Sequence, residues 1–72
     1  MAQYRDDQLI REIAQKIKQL REERGITQEQ FYNDTEIHIA RVETAKTNIT
    51  VSSLKRICEY LGVTLNEFFS SP

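Results

Sequence analysis

The 72-residue chain has one cysteine, one proline, one histidine and two glycines, and nowhere a long apolar run. A lone cysteine, Cys58, excludes an internal disulfide and any multi-cysteine metal site, and its neighbours Ile57 and Leu61 point to a buried thiol. The lone histidine, His38, has no ligand partner in the sequence, so no metal and no other cofactor is expected. One His, one Cys and no glycine-rich phosphate loop leave the inventory of an enzyme unfilled. So few Gly and Pro residues leave no flexible linker, low-complexity tract or solenoid repeat, and residues 1–72 are expected to form one domain, structured except at its ends. Without a long apolar run, or an apolar N-terminal stretch with a cleavage site, neither a membrane span nor a secretory signal is expected, and the cytoplasm is the default location.

What is present suits one compact core. With 39% hydrophobic residues the chain can bury a single core and little more. The net charge of -1 argues against indiscriminate binding to nucleic acid, because the phosphate attraction scales with accumulated Lys and Arg. The distribution is more informative than the sum. Between Ile37 and Arg56 the charged residues are Arg41, Glu43, Lys46, Lys55 and Arg56, so this segment is net positive.

The pattern is all-helical, with five helices and no strands. Leu9, Ile13, Ile17 and Leu20, widened by Ile10 and Ala14, form the apolar stripe of a first helix over about Asp6 to Arg24, which Gly25 ends. Thr27 and Gln30 read as a capping box that opens a second helix carrying Phe31 inward. That helix is expected to be short, because Asn33, Asp34 and Thr35 favour turns, and Thr35 is expected to cap a third helix with Ile39 and Val42 inward. A fourth helix, capped near Thr50, turns Val51, Leu54, Ile57, Cys58 and Leu61 inward and stops at Gly62. Thr64 and Glu67 form another capping box, opening a last short helix that brings Leu65 and either Phe68 or Phe69 to the core.

Two short helices joined by a tight turn, the second with an inward apolar pair and outward polar groups, are what a reader of the DNA major groove requires. The run IKQLREERGITQEQF, then RVETAKTN, then LKRICEYLGVTLNEFF resembles the phage-repressor and Cro type of helix-turn-helix domain, also called the xenobiotic-response-element type, over about Ile10 to Phe69. The resemblance implies a repressor-like fold with helices 2 and 3 as the helix-turn-helix. It further implies a sequence-specific regulator of transcription, a repressor reading double-stranded DNA.

Carried over by position, the resemblance implies an interface in which Thr27 and Gln28 start the helix that lies across the phosphate backbone. It puts Glu36, Ile37, His38, Ala40 and Arg41 at base-reading positions, and Lys46, Thr47 and Asn48 on the following phosphates. Arg41 is the strongest of these, since a guanidinium fits the guanine edge with two hydrogen bonds. The others have rival readings: Gln28 a cap residue, Glu36 a partner of the helix dipole, Ile37 a core residue. Arg21 and Glu43 stand where the family often ties its first helix to the end of the recognition helix by an ion pair.

The chain also departs from the family. Between Gln28 and Glu43 it is three residues short, about 4.5 Å of helical rise, so either the second helix is truncated or the turn almost vanishes, and the register of residues 36–38 is open. Tyr32 replaces a small residue, Ala45 a glycine and Ile49 a proline. A competing function is a protein-interaction module, antitoxin-like or an assembly partner, that keeps the fold without reading DNA. A homodimer is expected, through either the last helix with Phe68 and Phe69 or the residues before Leu9, including Tyr4. No small-molecule ligand is expected.

Overall fold

A computed structural model describes residues 4–70; the chain ends, and the expectation made for them, fall outside those residues. Five helices follow one another: α1 (Asp7–Glu23), α2 (Gln28–Thr35), α3 (Ile39–Glu43), α4 (Val51–Leu61) and α5 (Leu65–Ser70), with no strand among the described residues. Each of the four threonine or aspartate starts is a local event. The Asp6 carboxylate accepts from the Leu9 N–H, the Thr27 hydroxyl from Gln30 N–H and the Thr50 hydroxyl from Ser53 N–H, at 3.0, 3.0 and 3.1 Å. Before α5 the box closes in both directions, Glu67 N–H donating to Thr64 Oγ1 and Thr64 N–H to Glu67 Oε1. Such caps satisfy amides that a helix start leaves without partners.

The stripe of α1 buries Ile10, Ile13, Ala14 and Ile17, and one turn further on the same face carries Arg21. Gly25, at φ +67°, ends the helix as Gly25 N–H bonds Glu22 O and Ile26 N–H bonds Arg21 O. This sharp reversal sends the chain back so that α3 packs against α1 and α2 packs against α3. The core joins Ile13 and Ile17 to Phe31, Ile39, Leu54, Ile57, Cys58, Leu61 and Phe68, one or more from every helix. Each fully buried aliphatic or aromatic side chain contributes roughly 1.5–3 kcal/mol relative to exposure. Cys58 is one of them: burial pushes its thiol up from the ordinary value, so at neutral pH it packs as a small apolar group.

Several expectations are corrected. Thr35 does not cap the third helix; it is the last residue of α2 and is buried. Its hydroxyl donates to Phe31 O at 2.8 Å and accepts from Ile37 N–H at 3.1 Å, while Asp34 accepts the Tyr60 hydroxyl. These bonds carry the helix through three residues that by themselves favour turns. The turn does not vanish: α2 has eight residues, residues 36–38 form a three-residue turn, and α3 has five residues. Val51 and Leu9 do not point into the core. Both occupy the first turn of their helices, at the rim of an open cleft, where they are 74% and 44% exposed. Of the two terminal phenylalanines, Phe68 is buried and Phe69 stands outside.

Ala45, two residues past the end of α3, repeats the logic of Gly25 with the wrong side chain. Ala45 has φ +62°, a conformation in which its Cβ crowds the backbone. Ala45→Gly is therefore expected to stabilise the fold by about 0.5–1 kcal/mol, with the melting temperature followed by circular dichroism rising by a few degrees. A melting temperature that stays level or falls would mean that the added freedom of the unfolded chain outweighs the relieved strain.

Candidate nucleic-acid interface

The second helix of the pair exposes a narrow polar face. Ile39 is buried and Val42 half-buried, both turned to the core, which leaves Ala40, Arg41 and Thr44 outward on one side. Thr44 escaped sequence reasoning, although its spacing of four from Ala40 and three from Arg41 was the signal. Its hydroxyl donates to Arg41 O at 2.6 Å, so its side chain closes the last turn.

Behind this face lies a buried network. Arg21 Nε donates to Glu43 Oε2 at 2.7 Å and Arg21 Nη2 to Glu43 Oε1 at 3.0 Å, a two-pronged pair whose side chains are only 9% and 4% exposed. The remaining guanidinium nitrogen, Nη1, donates to Ile26 O at 2.8 Å. The hydrogen bond to Glu43 holds the Arg21 guanidinium above its ordinary pKa, against the opposing effect of burial. Three segments meet here: the end of α1, the connection into α2 and the end of α3.

Gln28 also joins the network, its amide donating to Glu43 Oε1 at 3.0 Å. Neither sequence reading of Gln28 included this contact, because it spans fifteen residues. The cap of α2 comes from Thr27 instead.

The network changes the charge of the surface as well as its shape. Glu43 is the only acid between Ile37 and Arg56, and Arg21 of α1 neutralises it. What remains exposed on that segment is Arg41, Lys46, Lys55 and Arg56, all positive. Lys55 stands at a cleft with Glu59, Val63 and Thr64, on the α5 side of α4. Lys46, Thr47 and Asn48 are exposed in the loop between α3 and α4. Arg5 reaches the same loop, its Nη2 donating to Ala45 O at 3.1 Å and its Nε to Asp7 at 2.7 Å. Sequence reasoning missed this cation, forty residues away along the chain.

Glu36, Ile37 and His38 stand off the helix. Glu36 is the left-handed residue that closes α2, at φ +62° with its N–H on Tyr32 O. Ile37 is half-buried against the core, and His38 is the residue before α3, with its ring against Tyr32. The outward face of α3 and its cap is therefore Ala40, Arg41 and Thr44, with His38 at its leading edge. Among the described residues, no group of three or more His, Cys, Asp or Glu is placed to hold a metal ion. No helix there is long and apolar enough to cross a membrane.

Two helices joined by a three-residue turn, the second anchored from behind and polar in front, define a helix-turn-helix domain of the DNA-binding regulator class. A family model described as helix-turn-helix, of the Cro/C1 type, matches residues 17–68, and the chain belongs to that family. No match was found among curated proteins or solved structures.

Proposed function

We propose that the chain is a sequence-specific repressor that reads one operator half-site in the major groove through α3. Arg41 is the principal base-reading residue, suited to the O6 and N7 acceptors of guanine. Ala40, Thr44 and His38 border it, and the smallness of Ala40 admits a thymine methyl. The start of α2, with Thr27 and Gln28, and the loop Lys46–Thr47–Asn48 hold phosphates on either side and fix the register. Gln28 serves by turning its amide from Glu43, or through its backbone N–H, which the helix start leaves open.

The observation that carries this reading is the neutralisation of Glu43 by Arg21, which leaves the outward charge of α3 and its following loop positive. In this reading the chain acts in the cytoplasm as a homodimer, since one half-site specifies few base pairs and a partner about 34 Å away multiplies the selectivity. Support for a dimer comes from Tyr4, Leu9 and Phe69. The N-terminal residues and the last helix, alternatives in the sequence, line one cleft of about 310 Å³ together with Val51.

The test is fluorescence anisotropy with a duplex enriched from a random pool, an unrelated duplex, and two salt concentrations. Arg41→Ala is expected to weaken binding to the enriched duplex by about 10–100-fold, with a much smaller effect on the unrelated one. If no duplex can be enriched, or binding is equal on both and disappears by about 200 mM salt, the fold serves as a protein-interaction module. The apolar cleft beside Phe69 is where the search for a partner would then begin.

A further inference from the structure

The recognition helix is too short to hold its own orientation. Five residues make less than a turn and a half, and a helix of that length gains almost nothing from its own hydrogen bonds. Its direction is set by what grips it. Glu43 grips the C-terminal end through Arg21, and Ile39, 1% exposed, grips the core side.

His38, the residue before α3, makes no capping bond with its side chain. At φ -75° and ψ 77° it is the centre of an inverse γ-turn, closed by Ile39 N–H on Ile37 O at 2.8 Å. Glu36, two residues earlier, is left-handed. On its inner side the turn is held by Ile37, half-buried against the core with its N–H on the Thr35 hydroxyl. On its outer side the ring of His38 lies against the ring of Tyr32, with centroids 4.6 Å apart and planes inclined by 33°. Tyr32 also accepts the Glu36 N–H on its carbonyl at 2.7 Å, so one residue of α2 holds both ends of the turn.

We propose that the Tyr32–His38 ring pair is a clamp that sets the approach of α3 to the groove, with Tyr32 as a positioning residue for sequence discrimination; this rests on the DNA-reading assignment above. Tyr32 is 42% exposed and lies outside the buried core, so its ring is not needed to fill the interior. It occupies the position at which the family resemblance leads one to expect a small residue, and it accompanies the three-residue shortening. A side chain that acts through His38 changes where Arg41 meets the bases. It leaves unchanged the cations that attract phosphate.

The experiment compares the full chain with Tyr32→Ala, Tyr32→Leu and Tyr32→Phe on the enriched and the unrelated duplex at fixed salt. Tyr32→Ala and Tyr32→Leu are expected to lower the preference for the enriched duplex by about tenfold. Affinity for the unrelated duplex should stay within about twofold, with circular dichroism unchanged. Tyr32→Phe, which keeps the ring, restores the preference. In proton NMR the His38 ring resonances, displaced by the neighbouring ring, return towards free-histidine positions only in the Ala and Leu variants.

A preference that survives in both Ala and Leu variants overturns the clamp while leaving DNA reading intact. So does an equal loss on both duplexes, or a loss that Tyr32→Phe does not recover. A wild-type chain with no preference at all overturns the DNA-reading assignment and the clamp with it.

Discussion

Glu43→Ala is expected to destabilise the fold by about 3–5 kcal/mol, because it leaves the Arg21 guanidinium buried without its countercharge. A domain of this length is stable by roughly 4–11 kcal/mol at the usual 0.05–0.15 kcal/mol per residue, so the variant sits near the edge of folding. The loss has several parts. Arg21 gives up two of its three hydrogen-bonded contacts, Gln28 loses its acceptor, and α3 loses the grip on its C-terminal end.

Urea titration of Arg21→Met, Glu43→Leu and the double variant measures the coupling, and the double variant should recover a large part of either single loss. Additive losses would show that the pair contributes little beyond its separate side chains. Any DNA-binding defect of Glu43→Ala should be reversed by an osmolyte that restores folding, whereas that of Arg41→Ala should not. The sign with pH follows from the raised Arg21 pKa. Its stabilisation is fully present below the unfolded value and is lost only as pH climbs through the folded one, so the contribution of this guanidinium is level across neutral pH.

Phe31→Ala is the second large effect, expected to cost about 3–5 kcal/mol. Phe31 is completely buried and is the only large apolar side chain that α2 places in the core; the other buried residue of that helix is Thr35. Its ring meets that of Tyr60 edge-on, with centroids 4.7 Å apart and planes at 69°. Tyr60 in turn donates its hydroxyl to Asp34, a bond that pushes the phenol above its ordinary pKa. Truncating Phe31 thus opens a cavity and loosens the fastening of α2 to α4 at once. Thermal unfolding should show the midpoint of Phe31→Ala lowered by roughly 12–40 °C, at about 4–8 °C per kcal/mol, while Phe31→Leu loses about 1–1.5 kcal/mol and keeps a cooperative transition. A Phe31→Ala variant with near-normal stability would mean that α2 is held chiefly by its polar contacts.

The legible parts of the fold are those that close over a few residues. Thr27, Thr50 and Thr64 each cap the helix that follows, because a hydroxyl three residues from an amide needs nothing else in place. The stripes of α1 and α4 were legible for the same reason, since 3.6-residue periodicity is carried by the chain itself. The same local rules misplaced Thr35, whose hydroxyl found Phe31 O behind it and Ile37 N–H ahead of it. They also turned Val51 and Leu9 inward, for periodicity fixes the side of a helix but not where the opposing surface ends.

At the candidate site the division is similar. The Arg21–Glu43 pair could be named from position within a resemblance, and the all-helical fold and its family follow from the order of motifs along the chain. Helix starts, apolar stripes and the left-handed break at Gly25 belong to the sequence by itself, because each rests on geometry within about one helical turn. Tertiary structure alone decided that α3 would be five residues long, that Gln28 would turn to Glu43, that Tyr32 would meet His38, and that Tyr4 and Phe69 would share a cleft. Those outcomes depend on which surfaces the core brings together, and no local preference of the chain encodes them.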